Sequence, residues 1–216
     1  MTDPVIVHGY RFSVYNQIVR MALQQKNVTY SSVEIDPFAD TVPESYLEMH
    51  PFGRVPSLVH GDFQIYETAA ITRYIDQAFD GMSLVPAGAK QAARMMQVIS
   101  IIDNYGYWPM VRQVASQRVF APLYGQASDE AEVAKGLQES RVVLTTLNKI
   151  AREGLVLNCQ QVTLADCHLA PMVGYFVQVS EGEKEFEEHQ ALNRWWSWIS
   201  CQQSFQTTRP PLPSQH

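Results

Sequence analysis

Cysteine is scarce: Cys159, Cys167 and Cys201 are the only three, an odd number at no metal-ligand spacing, which points to a reduced protein and away from a disulfide framework. There is no basic cluster either. The net charge of -6 arises from intermixed signs, which argues against a dedicated nucleic-acid binder, so any anionic partner must be met locally. No uncharged apolar run approaches the roughly 20 residues needed to span a bilayer, and the first residues lack the basic flank and apolar core of a secretory signal. The expectation is a soluble, cytoplasmic protein. What is present is ample core material, 46% hydrophobic and 11% aromatic residues, over a length that allows one large domain or two small ones.

Val5-Ile6-Val7 is a short β-rich run bounded by Gly9, and Val14, Ile18 and Ala22 then follow the spacing of one helix face. Ser13 stands where an N-cap would. Val33 and Ile35 alternate with Glu34 and Asp36 as a second strand, and residues 43–49 have room for one or two helical turns. Ser57-Leu58-Val59 and Phe63, Ile65 flank the tight turn His60-Gly61-Asp62 as a hairpin with Leu58 opposite Ile65. From Thr68, the residues Ile71, Tyr74, Ile75, Ala78 and Phe79 mark an amphipathic helix. The order is βαβαββα over residues 1–80, and the pattern alone fits several α/β units.

Residues 81–88, with Gly81, Pro86 and Gly88, form a composition break and read as a linker, beyond which strand signals almost vanish. Met95, Ile99 and Ile102 mark a long helix that Pro109 should kink; Val133, Leu137, Leu144, Leu147 and Ala151 mark another; Ala165, Leu169, Met172, Val173 and Phe176 mark a third, with Pro171 inside it. Residues 89–205 are therefore an all-α domain. Thr163-Leu164-Ala165-Asp166 is a capping-box variant with Asp for the usual Glu. Glu181 to Glu188 reads as a solvated loop or helix face, Trp195, Trp196 and Trp198 as packing, and residues 206–216, with Pro210, Pro211 and Pro213, as a loosely ordered tail.

Two stretches carry a resemblance. His50-Pro51-Phe52-Gly53-Arg54-Val55-Pro56 and Glu67-Thr68-Ala69-Ala70-Ile71 resemble the N/H-P-x-G-x-V-P loop and the E-S-x-A-I helix start of the soluble glutathione transferases. Gly9-Tyr10-Arg11-Phe12-Ser13 resembles the G-H-P-x-S pattern of the plant phi class, so the chain is identified as a bacterial-type member with a phi-like, serine-type motif. The Thr163 to Asp166 box resembles the one that opens the core helix of that family's second domain. The resemblance implies a thioredoxin-like glutathione-binding domain followed by the helical domain.

It also implies the chemistry, attack of a bound glutathione thiolate on a hydrophobic electrophile, a detoxification reaction. A free thiol has a pKa near 8.5, so about 3% is thiolate at pH 7; lowering it by about two units takes roughly 2.7 kcal/mol. One or two hydrogen bonds to the charged sulfur, at about 1.5 to 3 kcal/mol each, suffice. By resemblance Ser13 is that donor, with a simple helix cap as its other reading and Tyr10 and Tyr15 as further candidates. No cysteine lies near it, which disfavours the classes that work through mixed disulfides.

The resemblance further implies that the Val55 backbone, ahead of a cis Pro56, pairs with the cysteinyl part of glutathione; that Glu67 and Thr68 hold the γ-glutamyl end; and that Arg54 clamps a carboxylate. Thr68 replaces the family's serine, and Phe38-Ala39-Asp40-Thr41-Val42 offers no cation where phi-like members carry a His-Lys pair. The acceptor site is assigned to Tyr10, Phe12, Tyr105 and Trp108. A homodimer with Phe52 as an apolar key is expected, with no metal, nucleic acid or membrane partner. The expected activity is conjugation, with peroxidase or isomerase side chemistry on the same thiolate; the alternative is a non-catalytic member that binds a protein partner or carries apolar ligands.

Overall fold

Val5, Val7 and Gly9 are buried along β1 (Val5–Gly9) while Ile6 and His8 are half-buried, the alternation of a strand covered more on one face than the other. In the computed structural model, which describes residues 3–211, β1 lies within a 4-stranded sheet of order β2-β1-β3-β4. Its partners are β2 (Ser31–Glu34), β3 (Ser57–His60) and β4 (Phe63–Tyr66). β1 runs parallel to β2 and antiparallel to β3, and the β3–β4 hairpin sets Leu58 opposite Ile65 as expected. Gly61 adopts φ 61° at its turn, in the left-handed region that glycine reaches at no steric cost.

The apolar stripe of α1 (Val14–Gln25), with Ile18, Val19, Ala22 and Leu23 fully buried, packs with α3 (Thr68–Ala78) through Ile71 and Ile75. A short α2 (Glu44–Met49) buries Tyr46. At the far end of α1, Lys26 is almost wholly buried: its Nζ lies 3.6 Å from Asp76 Oδ1 and donates to the carbonyls of Asp76 and Met82. Asp76 accepts the Leu84 N–H at 2.6 Å, so one buried ion pair with its remaining valences filled ties α1, α3 and the segment after α3 together.

The chain gathers into two compact units, one holding the residues up to Leu84 with Thr207–Pro210, the other running from Val85 to Gln206. The first has the βαβαββα order and the second is helical throughout its described residues, so the two-part fold expected from the sequence is the one observed. Two details differ. β2 ends at Glu34 and is exposed along its length because it is an edge strand; Ile35 is buried just beyond it, its N–H bonded to Gly9 O. The described part of the expected tail, residues 206–211, begins inside α10 (Gln203–Thr208): Thr208 is buried, and its carbonyl and hydroxyl accept from Arg20 and Gln17 of α1. The remainder of the expected tail, residues 212–216, lies outside the described residues.

The helical unit opens with α4 (Ala89–Ile101), which continues at a wider pitch through Ile102–Gly106 and Trp108–Phe120 into α5 (Ala121–Leu123). Where a kink is expected at Pro109, the hydrogen-bond ladder steps by five residues, Tyr107 N–H reaching Ile102 O and Ala121 N–H reaching Ser116 O. α6 (Glu130–Glu153) begins on Asp129, which caps Ala131 and Glu132, and ends at Gly154 in the left-handed conformation. α7 (Leu164–Phe176) is buried along its whole length, Pro171 included. Glu181 to Glu187 is helical in α8 (Ser180–Glu187), which buries Phe186 and pairs Glu181 with Arg118 and Glu185 with Arg141. In α9 (Gln190–Ile199), Trp195 is fully buried.

Gly136 of α6 sits where a Cβ would fall 2.9 Å from Pro109 O and 2.7 Å from Gln113 Cβ. Two helix backbones therefore approach too closely for any side chain. Gly136→Val is expected to destabilise the helical unit by about 1 to 3 kcal/mol through overpacking, read as a fall in the thermal midpoint.

Candidate functional site

Ser13 is the N-cap of α1, at φ -74° and ψ 124°, and its Oγ accepts the Asn16 N–H at 3.3 Å. The Ser13 N–H and Asn16 Nδ2 both donate to Tyr10 O at 3.0 Å, which ties the turn after β1 to the first turn of the helix. Gly9 makes this possible, since a Cβ there would lie 2.4 Å from Asn16 Oδ1. The capping role of Ser13 is thus realised, and it does not compete with the other: a hydroxyl that accepts one bond still has its own hydrogen to donate. The helix-start amides and dipole at the same place favour an anion. Tyr15, half-buried, lies on the helix two residues further on.

Around this turn Tyr10 meets Phe12 and Phe38 edge-on, at ring separations of 5.5 and 5.8 Å. Arg11 donates its N–H and Nε to Glu34 Oε1, fastening the turn to β2. Phe38 was missed by sequence reasoning, which searched residues 38–42 for a cation; the exposed ring on Tyr10 is what the segment supplies. Asp40 is exposed beside it.

The loop from His50 to Pro56 leads to a Val55–Pro56 bond that is cis, as expected. Arg54 is exposed and Pro56 buried. The His50 ring, 3% exposed, lies 4.7 Å from the Tyr66 ring and so joins the loop to the end of β4. Burial lowers the His50 pKa against the opposing pull of Glu67, whose charge reaches the ring, and this keeps the imidazole neutral at neutral pH.

Glu67 is the N-cap of α3 at φ 71°, in a region that non-glycine residues rarely occupy, and its side chain makes no capping bond. Such conformations cost about 1 to 3 kcal/mol and cluster where a ligand is held. Thr68, 8% exposed, opens the helix. One unit therefore holds Ser13, the Arg54-Val55-Pro56 loop and the Glu67-Thr68 helix start, while Tyr105 and Trp108 belong to the wide-pitch helix of the other unit, 67% and 57% exposed. Phe52 is exposed on its loop. Among the described residues no group of three or more His, Cys, Asp and Glu is placed to hold a metal ion, and no helix is long and apolar enough to cross a membrane.

Two family models match successive parts of the chain: the N-terminal domain of glutathione S-transferase over residues 7–83, and its C-terminal domain over residues 107–202. The chain belongs to the glutathione S-transferase family. Among its relatives, glutathione S-transferase F6 of Arabidopsis thaliana is 29% identical over 93% of this chain and 96% of its own. A glutathione S-transferase of Silene vulgaris is 29% identical over 94% and 95% respectively. The solved structure of glutathione S-transferase III in apo form superposes with a TM-score of 0.86 at 27% identity, covering 99% of this chain and 100% of that one. These relatives support the glutathione transferase activity and the glutathione co-substrate read from the sequence. The Arabidopsis and Silene proteins are from plants, which agrees with the phi-like motif; the bacterial-type description finds no support in them.

Proposed function

We propose that the protein is a catalytic glutathione transferase in which Ser13 donates its hydroxyl hydrogen to the glutathione thiolate. The observation that carries the reading is the pairing, within one unit, of a hydroxyl at a helix start with Glu67, held at φ 71° with its carboxylate not used as a cap. In this reading Glu67 meets the γ-glutamyl ammonium and Thr68 its carboxylate, the Val55 backbone ahead of Pro56 pairs with the cysteinyl part, and Arg54 clamps a carboxylate from its exposed position. Tyr10 and Phe12 are assigned to the acceptor electrophile, and so are Tyr105 and Trp108, each more than half exposed. The protein acts in the cytoplasm as a homodimer, with exposed Phe52 as the apolar key; sedimentation at micromolar concentration checks the assembly, and a monomer there argues against it.

One departure favours a second reading. Phe38, Ala39 and Asp40 are exposed and bring no cation to a glycine carboxylate, as suits a non-catalytic member that binds a protein partner or carries apolar ligands. Retention on immobilised glutathione followed by turnover of an aromatic halide separates the two. Retention with turnover is the expected result; a folded protein without turnover, retained or not, overturns the catalytic reading and supports the non-catalytic one.

A further inference from the structure

Tyr46 belongs to no motif of the sequence, yet it holds the loop from His50 to Pro56 at both ends. Its carbonyl accepts the His50 N–H at 2.8 Å where the loop leaves α2. Its hydroxyl donates to Arg54 O at 2.7 Å and accepts from Ser57 Oγ at 2.9 Å, on the two sides of the Val55–Pro56 bond. The residue is 2% exposed and Ser57 is fully buried, so water cannot replace either partner. Within the loop a turn, Gly53 N–H to His50 O at 2.9 Å, adds a backbone bond. Burial pushes the Tyr46 phenol above its ordinary range, against the smaller pull of the Ser57 bond, so the hydroxyl keeps its proton for donation at neutral pH.

We propose that Tyr46 is a positioning residue for glutathione: through its hydroxyl it fixes the Arg54 carbonyl, and thereby the Val55 backbone, in the orientation that receives the cysteinyl part. This rests on the reading that the loop is the glutathione loop. The chemistry favours orientation over stability alone. The hydroxyl touches backbone one residue before Val55, and a bond to a carbonyl in so short a segment sets the rotation of the peptide plane that follows it. A phenylalanine would fill the same volume and keep the ring contacts with His8 and His50, 6.2 Å away in each case. What it would lose is the anchor.

The test is Tyr46→Phe in the full-length protein, beside Ser57→Ala, which removes one donor and leaves the Arg54 anchor in place. Tyr46→Phe is expected to raise the Kd and KM for glutathione about 5- to 30-fold, with kcat at saturating glutathione within about threefold of wild type; Ser57→Ala should change Kd by less than about threefold. An unchanged Kd in folded Tyr46→Phe overturns the proposal, as does a fall in kcat at unchanged KM. Hydrogen exchange at the Gly53 amide without ligand reads the loop independently of any activity. Faster exchange in Tyr46→Phe than in Ser57→Ala supports the anchoring even if the wild type proves not to bind glutathione, which would sink the functional reading instead; equal exchange in both variants overturns the anchoring.

Discussion

Ser13→Ala is expected to lower turnover near neutral pH about 10- to 100-fold and to raise the thiol pKa of bound glutathione by about one to two units. The hydroxyl is asked to supply about 1.5 to 3 kcal/mol to the thiolate, which is most of what brings a thiol from about 8.5 to below neutral. Because Ser13 Oγ also accepts the Asn16 N–H, alanine removes a cap as well, at about 1 kcal/mol. The two losses can be told apart with Ser13→Gly, since glycine at an N-cap costs only a few tenths of a kcal/mol. Ser13→Gly should match Ser13→Ala in turnover and in the pH profile while keeping a thermal midpoint near wild type. The thiol pKa is read from the ultraviolet absorbance of thiolate in the binary complex. A variant with an unchanged thiol pKa and full turnover would leave Ser13 as a cap and move the donor to Tyr10, Tyr15 or the amides at the start of α1.

Much of what positions that site is local and was legible. The hairpin is announced by Gly61 between two apolar runs, and the α3 stripe by Ile71 and Ile75, because turn conformation and helical period depend on neighbours in sequence. The residues proposed for the site in the first unit come from resemblance to the family, which is readable because each motif is a short contiguous run. What escaped depends on partners distant in sequence or on what lies above a surface. Tyr46, in a helix of six residues, carries no signal in the sequence, and it is the approach of Arg54 O and Ser57 Oγ that turns its hydroxyl into an anchor. Residues 206–208 read as the start of a proline-rich tail because their partners, Gln17 and Arg20, lie near the other end of the chain. The exposure of Val33, at 41%, follows from β2 being the edge of the sheet, which its alternation cannot tell from an inner position. The five-residue step after Ile101 leaves the apolar spacing of Met95, Ile99 and Ile102 intact and so has no signature in it.

The largest loss of stability is expected at Asp166, which sequence reading took as half of a capping box. Its carboxylate is 1% exposed and carries more than the cap: Oδ2 accepts the Thr163 N–H at 2.7 Å and the Thr163 hydroxyl at 2.5 Å, and Oδ1 accepts Trp195 Nε1–H at 2.7 Å. Burial pushes the carboxyl pKa up, and these donors pull the other way by serving the charged form. One side chain therefore starts α7, the most buried helix of the unit, and fastens α9 to it through a tryptophan that is itself fully buried. Asp166→Ala forfeits a cap worth about 1 kcal/mol and strands the Trp195 and Thr163 donors, each costing about 1 to 3 kcal/mol when left unpaired away from water. A loss of about 3 to 6 kcal/mol follows, a large share of the roughly 5 to 15 kcal/mol that holds an ordinary domain folded. Asp166→Asn separates acceptor from charge: it keeps one oxygen for either Trp195 or Thr163 and turns an NH₂ toward the other's donor, so it should lose about half as much. Trp195→Phe keeps the two Thr163 bonds but takes the donor from Oδ1 and leaves a smaller ring at a fully buried position, so its loss reports that one bond together with the cavity. Urea unfolding followed by circular dichroism at 222 nm orders the three variants, and an Asp166→Ala midpoint within about 1 kcal/mol of wild type would reduce Asp166 to an ordinary cap.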